Sequence, residues 1–479
     1  MKAMKYLMMG ALLMGFGTAA MAQDGTAADV EAVKNLVKAK PADYAKQIKA
    51  YFKENKKNNE NLVAIGRVLM EGEDYVNAKM FGDQTLSNTK YNYAPGYVLL
   101  GDIAAMQEDG GAAATNYEQA IMSDPKAPEA YRKYATVYRK IDPEGAVQKL
   151  EELRQQRPDY PVDAMIGHIN YLSLRYGKAN DAYSKVPVDQ LKRMDFIEYA
   201  MSNYHGRQYD KALEIVKAGL AKEPLNATMT RIAMMCSNEV KNFPEALQYA
   251  EDLFTKVNKD SVTINDIDYQ NYGKAYFGNG QYQEAIAKYQ EALKMPAEDN
   301  SLHADLYSSI SDCYEEMKDF PNAIDSYKQY LAARTDADAT AYAGLGILWN
   351  KYARTLQGEE KAATLKQADE AYADLITKFP DAEEYGLLQR GRVNAQLDTD
   401  LQGLAKPYFE RLAELINAHE TIDDTDKSRL FDVHSYLMRY YVKNKDNKSA
   451  LDNARKLQEL QPEDADIKKV VEALEKAAN

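Results

Sequence analysis

A chain of 479 residues exceeds what one compact core holds, so it folds either as several domains or as an array that grows by adding units. Its 45% hydrophobic and 28% charged residues are those of a folded protein, and Tyr 36 against Trp 1, with only Pro 15, favours helices over strands. A net charge of −13 opposes nucleic acid and anionic lipid in bulk but leaves room for local basic patches, and two cysteines exclude a disulfide-dense fold and a Cys-ligated zinc site.

Residues 1–22 have the layout of a secretory signal: Lys2 and Lys5, an apolar run over residues 6–16, and Ala20-Met21-Ala22 as a cleavage site before Gln23. The run is too short to span a bilayer, and no Cys follows it for lipid attachment. An exported chain, periplasmic or outer-membrane associated rather than extracellular, is therefore expected, with no integral membrane segment and at most a peripheral contact with the envelope. Residues 23–58, with Val30, Val33, Leu36 and Val37 and then Tyr44, Ile48 and Phe52 at helical spacing, predict an N-terminal helical cap.

From residue 59 to 462 the sequence repeats itself. Small residues, followed four positions later by an aromatic or aliphatic one in every case but the first, recur at Ala78, Ala113, Ala146, Ala179, Ala212, Ala246, Ala285, Ala323, Ala368, Ala405 and Ala450. The clearest unit carries Tyr97, Leu100 and Gly101, then Ala113, Tyr117, Ala120 and Pro125. Spacings of three and four place each cluster on one helix face, a turn around Gly110-Gly111 reverses the chain, and Pro125 stops the second helix. Each unit is thus predicted to be a helical hairpin whose small residues allow close backbone approach, while tyrosine rings pack and their hydroxyls reach the wet edge.

This pattern resembles the tetratricopeptide repeat, as do Tyr269, Tyr272, Gly273, Tyr276, Tyr282, Ala285, Tyr289 and Ala292, and the next unit from Tyr307 to Tyr330. The resemblance implies an all-α, right-handed superhelical solenoid of about eleven hairpins with N- and C-terminal capping helices, working as a protein-binding scaffold and not as an enzyme. Departures lie in the second half. Two 45-residue spacings put extra length beside residues 357–360 and 420–424, a longer loop is expected near residues 259–265, and the unit around Ala179 is poorly formed. Residues 463–479, with Ile467, Val470, Val471 and Leu474 opposite Lys468, Lys469 and Glu475, predict the closing helix. Cys236 and Cys313 occupy equivalent buried places two units apart, too distant to pair, and are expected as free thiols.

No phosphate-binding loop, zinc helix or nucleophile elbow is present, the Gly278-Asn279-Gly280 stretch falls in a turn, and the five histidines show no ligand spacing. No cofactor, catalytic group or metal is therefore expected. In proteins this chain resembles, the first helix of each hairpin lines a concave peptide groove. Carried over, that register nominates Arg67, Asp102, Arg132, Thr136, Arg139, His168, Tyr171, Met201, Tyr204, His205, Met235, Asn238, Lys274, Asp312, Glu315 and Arg439. Arg132 and Arg139 with Lys133 and Lys140 form an expected basic patch, Asp312, Glu315 and Glu316 an acidic one, and a Met, Tyr and His section lies between; an extended peptide of matching charge order is the expected partner. The alternative is a carbohydrate-binding envelope protein, against which stand the missing lipid-anchor Cys and the helix-core place of Trp349.

Overall fold

The structure is a computed structural model and describes residues 24–257, 263–296 and 300–478. The expected secretory signal over residues 1–22 and most of the expected loop at residues 259–265 lie outside the described residues. Among the described residues the regular structure is helical throughout, without a strand. The chain divides after Val240 into two units.

In the first unit α1 (Asp24–Ala39) and α2 (Tyr44–Glu54) precede five hairpins. These pair α3 (Asn59–Glu71) with α4 (Tyr75–Asn88), α5 (Ala94–Met106) with α6 (Gly110–Ser123), and α7 (Pro128–Tyr138) with α8 (Pro143–Gln156). The fourth and fifth pair α9 (Val162–Leu172) with α10 (Tyr176–Tyr183) and α11 (Arg193–His205) with α12 (Tyr209–Lys222), after which α13 (Ala227–Glu239) ends the unit. The second unit opens with α14 (Phe243–Glu251) and continues through α15 (Asp266–Gly278) with α16 (Tyr282–Leu293), α17 (Asn300–Glu316) with α18 (Phe320–Ala333), and α19 (Ala339–Ala353) with α20 (Gly358–Lys378). Its last elements are α21 (Glu383–Leu397), α22 (Lys406–Asn417), α23 (Asp424–Lys443), α24 (Asn447–Leu460) and α25 (Ala465–Ala478).

All eleven repeat alanines, from Ala78 to Ala450, are 0% exposed. Ten lie inside the second helix of their repeat, and Ala405 stands at the N-cap of α22. The periodicity read along the chain is thus the periodicity of helix contact. Four residues beyond these alanines, the rings of Tyr117, Tyr183, Tyr289, Tyr372 and Phe409 lie against Gly101, Gly167, Gly273, Gly346 and Gly391 on the preceding helix. The α10 helix, eight residues long, is the weak repeat expected around Ala179.

Four of the hairpin turns follow one recipe. A residue in the left-handed region ends the first helix and the next residue caps the second: Glu73 (φ 65) before Asp74, Glu108 (φ 64) before Asp109, Lys318 (φ 61) before Asp319 and Lys445 (φ 60) before Asp446. Each aspartate accepts a backbone N–H three residues on, such as Ala112 N–H to Asp109 Oδ1 at 2.8 Å. The first long spacing is absorbed by α20, whose 21 residues bury Thr364, Leu365, Ala368, Ala371, Tyr372 and Leu375 on one face. The second lengthens α23 to 20 residues.

At the N-terminal end α1 packs on α3, with Val33 and Ile48 fully buried. At the other end Val471 and Leu474 of α25 are buried against α24, while Val470 stays 36% exposed. Cys236 and Cys313 are both buried free thiols.

The tyrosines depart from expectation in one respect. Several of the largest fully buried side chains are tyrosines, and their hydroxyls do not reach a wet edge. Tyr117 donates to Asp102 (2.7 Å), Tyr183 to Glu198 (2.6 Å) and Tyr436 to Asp398. A buried phenol needs an acceptor, and a buried carboxylate needs donors, so each satisfies the other.

Candidate peptide-binding surface

The first helices of the first unit, α3, α5, α7, α9, α11 and α13, touch one another in succession. They form an unbroken row, and on one face of it Arg67 of α3 reaches past α5 to Glu129 of α7 at 3.5 Å. The candidate residues from Arg67 to Asn238 sit on this row, except Arg139, which is the C-cap of α7.

Two of the nominated positions are interior. Asp102 is 3% exposed and accepts both Lys133 Nζ (2.6 Å to each oxygen) and the Tyr117 hydroxyl; Asn238 is likewise buried. Lys133 is therefore withdrawn from the expected basic patch, because an ammonium in the core is tolerable only against a carboxylate. Arg139 is half-buried, donates to the Leu172 carbonyl at 3.4 Å, and has its pKa pulled down by burial. Of the four expected cations, Lys140 remains exposed and Arg132 half-exposed, and among the described residues neither has an ion pair.

Beyond Arg132 the row carries a polar and aromatic stretch. His168 Nδ1 faces both oxygens of buried Glu198 at 2.9 Å, and Tyr183 donates to the same carboxylate. The imidazole is thereby fixed from behind while the His168 side chain keeps 23% of its surface exposed. Burial first, and then the Glu198 charge, push the Tyr183 phenol well above its usual range, so it stays a donor. His205 stacks on Tyr176 at 4.5 Å, and Tyr171 and Tyr204 stand beside that pair at 6.1 and 6.2 Å. Met201, Tyr204 and Met235 are half-buried, and the Thr136 hydroxyl is spent on the Arg132 carbonyl at 2.8 Å.

In the second unit Lys274 is half-buried on α15, Glu315 of α17 pairs with Lys351, Glu316 is exposed, and Arg439 is exposed with its Nε on the Ser435 carbonyl. Asp312 stays exposed at its surface, but neighbouring side chains withdraw part of its water, Glu315 repels its charge and Lys351 only partly offsets this, so its carboxyl is pushed up to about 6. A carboxyl raised above its unfolded value of 3.8 opposes folding while ionised, and the penalty fades as pH falls through 6. Urea midpoints of the wild type should therefore gain stability between pH 7 and 5 relative to Asp312→Asn, which lacks this titration. Equal pH dependence in the two proteins contradicts the assignment.

Residues 98–161 and 263–336 each match a family model described as tetratricopeptide repeat. The chain carries tetratricopeptide repeats. Among curated proteins none matches it. Of solved structures, the C-terminal part of a TPR repeat-containing protein from Cytophaga hutchinsonii is similar, with 25% identity over 57% of this chain and 99% of that one and a TM-score of 0.47. A tetratricopeptide repeat protein from Parabacteroides merdae shows 17% identity over 53% and 98%, TM-score 0.36, and MamA from Desulfovibrio magneticus 16% over 34% and 92%, TM-score 0.30. Stacks of such repeats build interaction scaffolds, because each unit contacts only its neighbours and leaves an extended face open.

The tetratricopeptide register pointed to first helices but not to what holds their side chains. Glu198 went unnoticed, as did the Asp102–Lys133 pair. A signal existed: Asp102 and Lys133 are 31 residues apart, and His168 and Glu198 are 30 apart. That is about one repeat less one helical turn, which sets a partner on the neighbouring first helix. Among the described residues no group of three or more His, Cys, Asp or Glu is placed to hold a metal ion, and no helix is long and apolar enough to cross a membrane.

Proposed function

We propose that this chain is an exported, non-catalytic scaffold that holds an extended polypeptide against the first helices of residues 59–239, in an envelope or secretion assembly at the periplasm or outer membrane. The observation that carries the reading is the unbroken first-helix row, on which Arg132 has no ion pair among the described residues and His168 is braced by buried Glu198. A cation and a fixed imidazole suit an acidic segment, and the adjoining Tyr171, Met201, Tyr204 and Met235 suit apolar side chains. The acidic positions Asp312 and Glu315 belong to the other unit, so the charge match is sought along the first unit alone. Export rests on the signal layout of residues 1–22 and is checked by N-terminal sequencing of the cell-envelope form, which should begin at Gln23.

Binding is tested with a synthetic peptide array probed by the purified chain, the strongest linear peptide being carried into fluorescence anisotropy. Arg132→Ala should weaken that peptide about tenfold and flatten its salt dependence. Arg439→Ala, in the second unit, should leave it unchanged. Equal effects of the two substitutions, or none from Arg132→Ala, reject the assignment.

A further inference from the structure

The turns joining the two helices of each hairpin change character along the first unit. In hairpins one and two, residues 72–74 and 107–109 supply Glu73, Asp74, Glu108 and Asp109 and no cation. In hairpins three to five, residues 139–142, 173–175 and 206–208 supply Arg139, Lys140, Arg175 and Arg207 with one acid, Asp142; Arg175 is paired with Glu144 of α8, which leaves Lys140 and Arg207 as the exposed cations of this edge. The same turns present Ile141 at 70% and Leu174 at 72% exposure. Leu174 sits in left-handed backbone (φ 58), where the equivalent residues are Glu73, Glu108 and Arg207, so neither the backbone nor the core asks for a leucine there. These turns adjoin: Arg139 donates to the Leu172 carbonyl at 3.4 Å, and Tyr176 stacks on His205 at 4.5 Å.

We propose that the turn edge of hairpins three to five docks on an anionic phospholipid bilayer, Ile141 and Leu174 entering the headgroup region while Lys140 and Arg207 meet lipid phosphates. Charge complementarity selects this occupant in a chain that is otherwise acidic. Two aliphatic side chains projecting from turns need no shaped cavity in a bilayer, whereas a protein partner needs a pocket for each. The Tyr176 ring at the same edge has the amphipathic character of an interfacial anchor.

The test is co-sedimentation of the chain from Gln23 onward, which holds every described helix, with vesicles of equal parts phosphatidylglycerol and phosphatidylethanolamine or of phosphatidylcholine alone. Binding is expected to the first only and to fall with salt. The Ile141→Asp/Leu174→Asp variant, altered at exposed positions and checked for an unchanged melting curve, should lose about tenfold or more of the partition coefficient. The Lys140→Glu/Arg207→Glu variant should lose a comparable factor together with the salt dependence. Wild-type protein that stays in the supernatant, variants that pellet like wild type, or capture of poly-glutamate with no vesicle binding each overturn the proposal, the last in favour of an acidic protein.

Discussion

Replacing Lys133 by alanine should destabilise the first unit by about 3–5 kcal/mol, measured as the loss of its urea-unfolding free energy. The Asp102 carboxylate is 3% exposed and is held by Lys133 Nζ and the Tyr117 hydroxyl. Removing the ammonium leaves a buried anion whose remaining donor is the Tyr117 phenol. Its cost is the uncompensated charge and not the worth of the pair, so replacing the whole cluster should behave differently. Asp102→Leu/Tyr117→Phe/Lys133→Met removes the three buried polar groups at once, leaving the partly exposed Glu129 to its Arg67 partner, and should return to within about 1 kcal/mol of wild type. If Lys133→Ala costs less than about 1 kcal/mol, the pair is not buried as described.

Gly273→Ala should cost about 1–3 kcal/mol in the second unit, although an alanine in a helix is ordinarily the better residue. A Cβ on Gly273 would stand 2.4 Å from the ring of Tyr289, which is 3% exposed. The ring must shift or α15 must lift from α16. Gly177 supplies the contrast, because nothing lies within 4 Å of a Cβ placed there. Gly177→Ala should be neutral or stabilising by up to about 1 kcal/mol. Opposite signs at two helical glycines isolate packing from propensity; the same sign at both would place the tyrosine ring elsewhere.

The fold was legible because close helix approach admits few residue types. Alanine at a 0% exposed contact, an aromatic ring four residues later and a glycine facing it leave a period that survives variation elsewhere, and that period marks the hairpins along the chain. The longer repeats were legible as well, since α20 keeps its buried stripe through added turns.

The surface was less legible. A register assigns a residue to the first helix without saying whether its side chain turns outward, and Asp102 and Lys133 turn into the core because each supplies what the other needs. Glu198 escaped for the same reason: a glutamate in an acidic chain looks like solvent-facing charge until Tyr183 and His168 are seen on either side of it. The tyrosine hydroxyls were assigned to water on general grounds, whereas carboxylates inside the hairpins claimed them.

Photo-crosslinking tests the central claim, that polypeptide lies along the first helices of the first unit. A benzophenone side chain placed at Tyr171, Met201 or Met235 is compared with one at Met122, a 69% exposed residue of the second helix α6, using the array-selected peptide as target. Adducts from the three first-helix positions and none above background from Met122 are the predicted result. Adducts from Met122 with silence at the other three would put the peptide on the opposite face and contradict the account.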